Sequence, residues 1–156
     1  MYKLLPLLLC VAIVGSASAQ EKTKGLLNDL GIAHAELDGG LFKVVVSNDT
    51  GTTTMLVKEN SILGSANEHL QVVTTYAQVV SAPEGFSPPL AMLRKIDELN
   101  GNSNSGRLFT NDGSVWITSE QALRLVDAQS LSIQLELMTI VRAAYEEVLA
   151  PFVEEE

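Results

Sequence analysis

The side chains that could perform acid–base or metal chemistry are few and lie far apart in the chain. His34 and His69 are the only histidines, the residue type that can serve as a base near neutral pH or as an imidazole ligand. They do not form the H-x-x-x-H or H-E-x-x-H spacing with which zinc hydrolases direct two imidazole rings at one ion. Each histidine is therefore expected at the surface or at a strand edge, and only a site assembled across the fold would bring the two together.

Other patterns that resemble reactive sites lack a necessary part. The loop at residues 100–106 spaces its amides like a calcium loop, but it has no carboxylates to compensate for desolvation of the ion. The pairs Glu36 with Asp38 and Asp97 with Glu98 are expected on a solvated acidic surface. No serine lies in a G-x-S-x-G motif, and no glycine-rich loop matches a phosphate-binding fingerprint. We therefore expect a protein that is not an enzyme, with no catalytic residue, no metal ligand and no cofactor.

Residues 1–19 have the composition of an export signal. Lys3 provides the positive charge, residues 4–14 form an apolar run, and Ala17-Ser18-Ala19 offers the small-x-small cleavage pattern before Gln20. A membrane anchor needs about 20 apolar residues, so this run is too short to be one. The sequence therefore predicts a cleaved signal peptide and a product that is periplasmic or secreted by a bacterium.

Removal of this signal changes the composition in two ways. The 156 residues include 19 acidic and 10 basic ones, and loss of Lys3 takes the net charge from −9 to −10. The only cysteine, Cys10, is lost as well, so the processed chain has no disulfide and no thiolate ligand. An acidic chain lacks the clustered Lys and Arg that bind nucleic acid or anionic lipid. Residues 20–156 are expected to form a single domain, with no nucleic-acid partner and no stable membrane insertion.

Hydrophobic spacing and turn residues predict eight elements in the order α-β-β-β-α-β-β-α. The helices are expected at residues 23–30, 88–100 and 130–152, and the strands at residues 41–47, 52–58, 70–80, 107–110 and 114–118. Gly31 is placed to end the first helix in a left-handed cap, and Ser87 to cap the second helix with Pro88 at its first position. Asn48-Asp49-Thr50-Gly51 and Asn111-Asp112-Gly113 are hairpin turn signals. This order is typical of an α+β domain with an antiparallel sheet.

Two segments of the second half resemble a known family. They are IDELN at residues 96–100 and RLFTNDGSVWI at residues 107–117, followed by a long C-terminal helix. Together with the element order, they resemble the YbjN-like family, whose fold is that of the type III secretion chaperones. The resemblance implies a non-enzymatic protein that binds other proteins, often as a dimer. Many relatives lack an export signal, so the resemblance does not imply a cytosolic secretion-chaperone role for this chain.

The predicted C-terminal helix has more apolar surface than one sheet face usually covers. Its main stripe consists of Leu131, Leu135, Met138, Val141, Tyr145, Val148, Leu149 and Phe152. A second row beside it consists of Ile133, Leu137, Ile140 and Ala144. Either both rows are buried within the monomer, or the second row is exposed as a dimer or partner surface.

These residues leave two functions open. The first is an exported chaperone-like or regulatory module that binds a protein partner or a second copy of itself. The alternative is a periplasmic carrier of a small apolar ligand, held in a cavity of about 300 Å³ or more between the sheet and the long helix. Trp116, the only tryptophan, is expected to pack in the core or on a sheet face rather than to bind a ligand.

Overall fold

The structure, a computed structural model, describes residues 14–63 and 69–154. Most of the predicted export signal therefore lies outside the described residues. The helices are α1 (Val14–Asp29), α2 (Leu90–Asn102), α3 (Ala128–Leu149) and α4 (Pro151–Glu154), with a 3-10 turn at Leu123–Leu125. The strands are β1 (His34–Leu37), β2 (Leu41–Asn48), β3 (Gly51–Leu63), β4 (His69–Val80), β5 (Arg107–Asn111) and β6 (Ser114–Ala122).

The strands form one antiparallel sheet in the order β1-β2-β3-β4-β6-β5. Side chains alternate between its two faces, and the pairing register aligns one buried row across five strands. This row consists of Val44, Met55, Ala77, Ile117 and Leu108. Helix α3 packs on this face, where it contacts β2, β3, β4 and β6, while α1 contacts β3 and α2 contacts β5. The domain therefore has two layers, with the core between the sheet and the helices.

The opposite face of the sheet carries more exposed side chains, several of them aromatic. Val45 is 47% exposed and Phe109 is 36% exposed. Trp116 is half-buried on this face, opposite Phe109 in the β5–β6 pair. The ring of Phe109 meets that of Tyr76 edge to face, with 6.5 Å between the ring centroids. Trp116 thus packs on a sheet face, as expected.

Both predicted hairpin turns are present. Asn48 pairs with Gly51, and Asn111 pairs with Ser114. In the second turn Asp112 and Gly113 both have positive φ angles, of 49° and 76°, as a type I′ turn requires. A Cβ atom at residue 113 would lie 2.6 Å from the carbonyl oxygen of Phe86, so this turn also needs glycine for space.

The first helix ends as the sequence predicts but begins earlier. Gly31 has a φ of 65°, its N–H donates to Asn28 O, and the N–H of Ile32 donates to Leu27 O, which is a Schellman cap. The helix begins at Val14, ahead of the predicted cleavage position. Within residues 14–63 and 69–154, none of the helices combines the length and the apolarity that a membrane crossing requires.

The predicted start of α2 is wrong. The helix begins at Leu90, and Pro89 precedes it with a φ of −65° and a ψ of 154° and no side-chain cap. A residue that precedes proline is driven out of the helical region, and this applies to both Ser87 and Pro88. Pro88 therefore lies outside the helix, which begins after Pro89, so Ser87 is not its cap.

Two further differences concern strands and the last helix. Strand β1 was missed, because its four residues, His34–Leu37, show no apolar alternation and are mostly exposed. The expected helix at residues 130–152 divides into α3 and α4. The division falls at Pro151, which lacks the N–H that would continue the helical ladder.

Asn100 connects α2 to the outer strand of the sheet. Its side-chain nitrogen donates to Leu108 O at 2.9 Å, and its side-chain oxygen accepts from Leu108 N at 2.7 Å. The amide therefore makes the two bonds that a further strand would make at the outer side of β5. This contact gives a physical reason for the Leu-Asn pair that ends the segment at residues 96–100.

We expect Asn100→Ala to lower the free energy of unfolding by about 1–3 kcal/mol, because the backbone N–H and C=O of Leu108 both lose their hydrogen-bond partner. Urea denaturation would measure the change. Asn102→Ala, at an exposed amide in the same helix, is the matched control and should change stability by less than about 0.5 kcal/mol. Equal effects of the two substitutions would contradict a specific role for the Asn100 bridge.

Candidate functional site

The candidate site lies beside the last residues of β6, which extends further than its neighbour β5. Arg107, the first residue of β5, pairs with Thr118. Strand β6 continues to Ala122, so residues 119–122 have β4 on one side and no β5 residue on the other. An unpaired strand edge of this kind is a template for pairing with another chain.

The alternation of hydrogen-bonded positions along the strands shows which peptide groups face this open side. The N–H and C=O of Leu108 both bond the Asn100 side chain, so they point away from β6. In an antiparallel pair the bonded and non-bonded positions alternate. Thr118 therefore directs its N–H and C=O toward β5, and Glu120, two residues later, directs the same groups toward the open side.

At Gly106 the backbone passes close to this edge of β6. A Cβ atom at residue 106 would lie 2.7 Å from Thr118 O and about 3.0 Å from the Ile117 side chain. Only glycine fits there without displacement of the β6 backbone. The loop before it, at residues 103–105, stays beside β6 without pairing with it, which leaves a groove.

We call this region the edge groove. It consists of two adjoining cavities of about 420 Å³ and about 260 Å³ that share Asn104, Ser105, Ser119 and Glu120. The larger is completed by Ser103, Gly106, Arg107 and Thr118, and the smaller by Gln121, Ile133, Gln134 and Leu137. The groove therefore joins the open edge of β6 to one side of α3.

Two polar atoms beside the groove are buried and unpaired. Gln134 is only 3% exposed, and its side-chain nitrogen donates to Ser119 O at 3.2 Å. Its side-chain oxygen is buried and has no hydrogen-bond partner among the described residues, and the same is true of the hydroxyl of Thr118. A buried unpaired acceptor costs free energy, so a donor from a bound chain would be favourable at this position.

The second apolar row of α3 is exposed. Ile133 is 49% exposed, Leu137 is 47% exposed and Ile140 is 46% exposed, and Ala144 is exposed as well. The interpretation in which both rows are buried within the monomer is therefore wrong. Ile133 and Leu137 line the edge groove, whereas Ile140 and Ala144 continue the row along the helix without lining either cavity.

The main stripe of α3 fixes the helix on the sheet. Leu131, Leu135, Met138 and Leu149 are between 0% and 1% exposed. On the flank, the Arg142 side chain donates to Gln78 O at 3.0 Å and pairs with Glu146 at 2.8 Å. The exposed row is therefore presented by a helix whose rotation about its own axis is fixed by the core.

A capping box defines the start of α3. The Asp127 carboxylate accepts from Ser130 N at 2.7 Å, and the Ser130 hydroxyl bonds the Asp127 backbone. The hydrogen bonds from the backbone and then the side chain of Ser130 lower the pKa of Asp127 below its ordinary value. The negative charge also lies at the positive end of the helix dipole.

The side chain of His69 lies outside the described part of the structure, and the described residues considered for acid–base and metal chemistry do not gather in the groove. His34 contacts Ile32 O through its Nδ1 atom at 3.0 Å and packs its ring against Phe42. Glu36 pairs with Lys24 at 2.7 Å, and Glu98 pairs with Lys95 at 3.0 Å, both at exposed positions. Among the described residues, no group of three His, Cys, Asp or Glu side chains is placed to hold a metal ion.

Sequence reasoning missed the role of the polar loop. Residues 103–106 form one wall of the edge groove, although the sequence favours a simple connection there. The one available signal is Gly106 directly before a strand, since a glycine in that place often marks a close approach of two backbones. The open edge has no sequence signal, because it depends on how far two paired strands extend relative to each other.

Comparison with known proteins supports the fold. A chain of the HopA1–SchA chaperone–effector complex superposes with a TM-score of 0.54 and is 14% identical, covering 83% of this chain and 97% of that one. A chain of the heterodimeric ExoU–SpcU complex, from the type III secretion system of Pseudomonas aeruginosa, gives a TM-score of 0.37 at 15% identity over 63% of this chain and 84% of that one. No protein-family model and no curated protein matches the chain. The superposition with the HopA1–SchA chain confirms the predicted fold, an α+β domain of the type III secretion chaperone kind.

We expect the Asp127 carboxylate to contribute stability that depends on pH. Its pKa is lower in the folded chain than in the unfolded chain, so the contribution is present above the ordinary value of 3.8 and is lost as pH falls through the lowered pKa. The melting temperature of Asp127→Asn, which keeps an acceptor but no charge, should therefore fall less than that of the wild type between about pH 5 and 2. Parallel curves for the two proteins would contradict this assignment.

Proposed function

We propose that the protein is a non-enzymatic binding module for a segment of another protein, held at the edge groove and along the exposed row of α3. The exposure of Ile133, Leu137 and Ile140 supports this most directly, because three neighbouring aliphatic side chains are left about half in water by a helix that buries Leu131, Leu135, Met138 and Leu149 against the sheet. The chaperone-like fold is consistent with such a role.

The apolar row alone would bind weakly. Full burial of an aliphatic side chain contributes about 1.5–3 kcal/mol, so covering the exposed halves of three would contribute roughly 2–4 kcal/mol. That corresponds to no better than about millimolar affinity, even before the entropy lost on association is considered. A useful affinity therefore needs the polar groups of the groove, and the Glu120 peptide groups offer a donor and an acceptor to an extended backbone.

The carrier alternative has less support. It needs an apolar space between the sheet and the long helix, but Leu131, Leu135 and Met138 fill that position at 0–1% exposure. The larger cavity, of about 420 Å³, is lined mostly by polar side chains and backbone instead. A chain with polar peptide groups suits this lining better than an apolar ligand does.

Two finer features belong to the same proposal. The signal-like composition of residues 1–19 supports export to the periplasm or the medium after cleavage behind Ala19. The segments IDELN and RLFTNDGSVWI support a protein of the YbjN-like type. The exposed row would also allow two copies to associate.

The exposed row can be tested with the double substitution Leu137→Glu and Ile140→Glu. We expect the wild-type protein to bind a hydrophobic dye or to self-associate in light scattering, and the double variant to lose most of this signal. Leu90→Glu with Leu125→Glu is the matched control, since these leucines are 62% and 71% exposed but lie on other elements. The control should behave like the wild type.

Two results would contradict the proposal. A wild-type protein that is strictly monomeric and binds no dye has no accessible apolar surface of the kind required. Native mass spectrometry that finds a stoichiometric co-purifying lipid, unaffected by the double substitution, would favour the carrier instead.

A further inference from the structure

The first helix is tied to the sheet by an unusual contact. Both the backbone N–H and the hydroxyl of Thr23 donate to the same carboxylate oxygen of Glu59 in β3, and the backbone nitrogen lies 2.9 Å from that oxygen. Thr23 is fully buried. Two donors of one helical residue therefore converge on a single acceptor that is 36 positions away in sequence.

This contact is out of place in the interior of a helix. Helix α1 begins at Val14, so the N–H of Thr23 points along the helix toward the carbonyl of Ala19. Carboxylates accept backbone N–H groups in the first turn, where four such groups have no partner within the helix and the dipole is positive. A helix that begins at Gln20 would place Thr23 in its first turn.

Glu59 also has capacity left for another donor. Its second carboxylate oxygen, Oε2, is buried and has no hydrogen-bond partner within residues 14–63 and 69–154. In a helix the nitrogen of residue 20 lies about one turn before that of Thr23, roughly 5 Å along the axis. A carboxylate already bound to Thr23 is thus within reach of a terminal nitrogen at Gln20, and of the other free N–H groups of that turn.

Neighbouring contacts hold this part of the helix in place. The Lys22 ammonium donates to Leu123 O at 2.7 Å, and Lys24 pairs with Glu36 at 2.7 Å. Leu27, one turn after Thr23, is fully buried in the core. A chain that began at residue 20 would therefore keep its first turn beside Glu59.

We propose that Glu59 is a cap for an amino terminus that is created by cleavage between Ala19 and Gln20. Water, with a protease of the export machinery as catalyst, hydrolyses the peptide bond: the Ala19 carbonyl becomes a carboxylate and leaves with residues 1–19, and the nitrogen of Gln20 becomes the new terminus. Glu59 then binds the exposed donors of the first turn with both oxygens. This inference rests on the export part of the proposed function.

The first measurement establishes which chain is present. The full-length wild type, Glu59→Gln and Glu36→Gln are produced in a bacterium, and the mass of each purified product is determined. A second set carries Ala19→Arg, which retains residues 1–19, and is purified in mild detergent. Wild-type product that begins at residue 20 supports export and cleavage, whereas product that keeps residues 1–19 overturns both the export proposal and the cap.

The second measurement tests the cap itself, by hydrogen exchange of residues 20–30. In processed protein we expect Glu59→Gln to speed exchange about 10-fold or more, and in protein that retains residues 1–19 by less than about 3-fold. Glu36→Gln removes a carboxylate from an exposed ion pair of the same helix and should have little effect in either form.

The outcomes separate the two proposals. Processed protein whose exchange is unaffected by Glu59→Gln, or affected equally in both forms, overturns the cap and leaves export standing. If Glu59→Gln fails to fold, the wild-type forms suffice: a working cap replaces the helical partners lost on cleavage, so residues 20–30 should exchange within about 3-fold of the same rate in both forms, and exchange about 10-fold faster after processing overturns it.

Discussion

The burial of one face of the sheet under α3 is the constraint on which the rest of the structure depends. A single register aligns Val44, Met55, Ala77, Ile117 and Leu108 across five strands, and the main stripe of α3 lies against this face. Because a shift by one residue would turn every side chain to the other face, this packing fixes both the strand register and the rotation of α3. The aromatic side chains lie on the opposite face because side chains alternate along each strand. The second row of α3 is exposed because the rotation of the helix is fixed.

Much of the fold could be predicted from local patterns. The Asp112-Gly113 turn needs positive φ at two residues, and Gly31 needs it at one, so their chemistry specifies the local backbone directly. Errors arose where a pattern competed with a second rule. Ser87 looks like a helix cap, but the two prolines that follow it force an extended backbone. Strand β1 was missed because its four residues are mostly exposed and are paired only with β2, and pairing of that kind depends on tertiary context rather than on sequence.

The candidate site was predictable only in part. Periodicity identifies the row of Ile133, Leu137, Ile140 and Ala144, but it cannot decide whether the sheet or solvent covers that row. The answer depends on the rotation of α3, which is set by contacts distant in sequence, such as the bond from Arg142 to Gln78 O. The edge groove was not predictable at all, because it results from the different lengths of β5 and β6 beyond their shared pairs.

The covering of the other sheet edges is one reason why the proposed function places the partner at the open segment of β6. Unpaired edges promote aggregation, and proteins usually shorten or cover them. Here β1 and β5, the two outer strands, are short, and Asn100 occupies the outward peptide groups of Leu108. Residues 119–122 belong to a longer strand that has no such cover on its open side. The outer edges are thus protected, whereas this segment is open and lies beside exposed Ile133 and Leu137. A partner that paired with its backbone would therefore find apolar contacts as well.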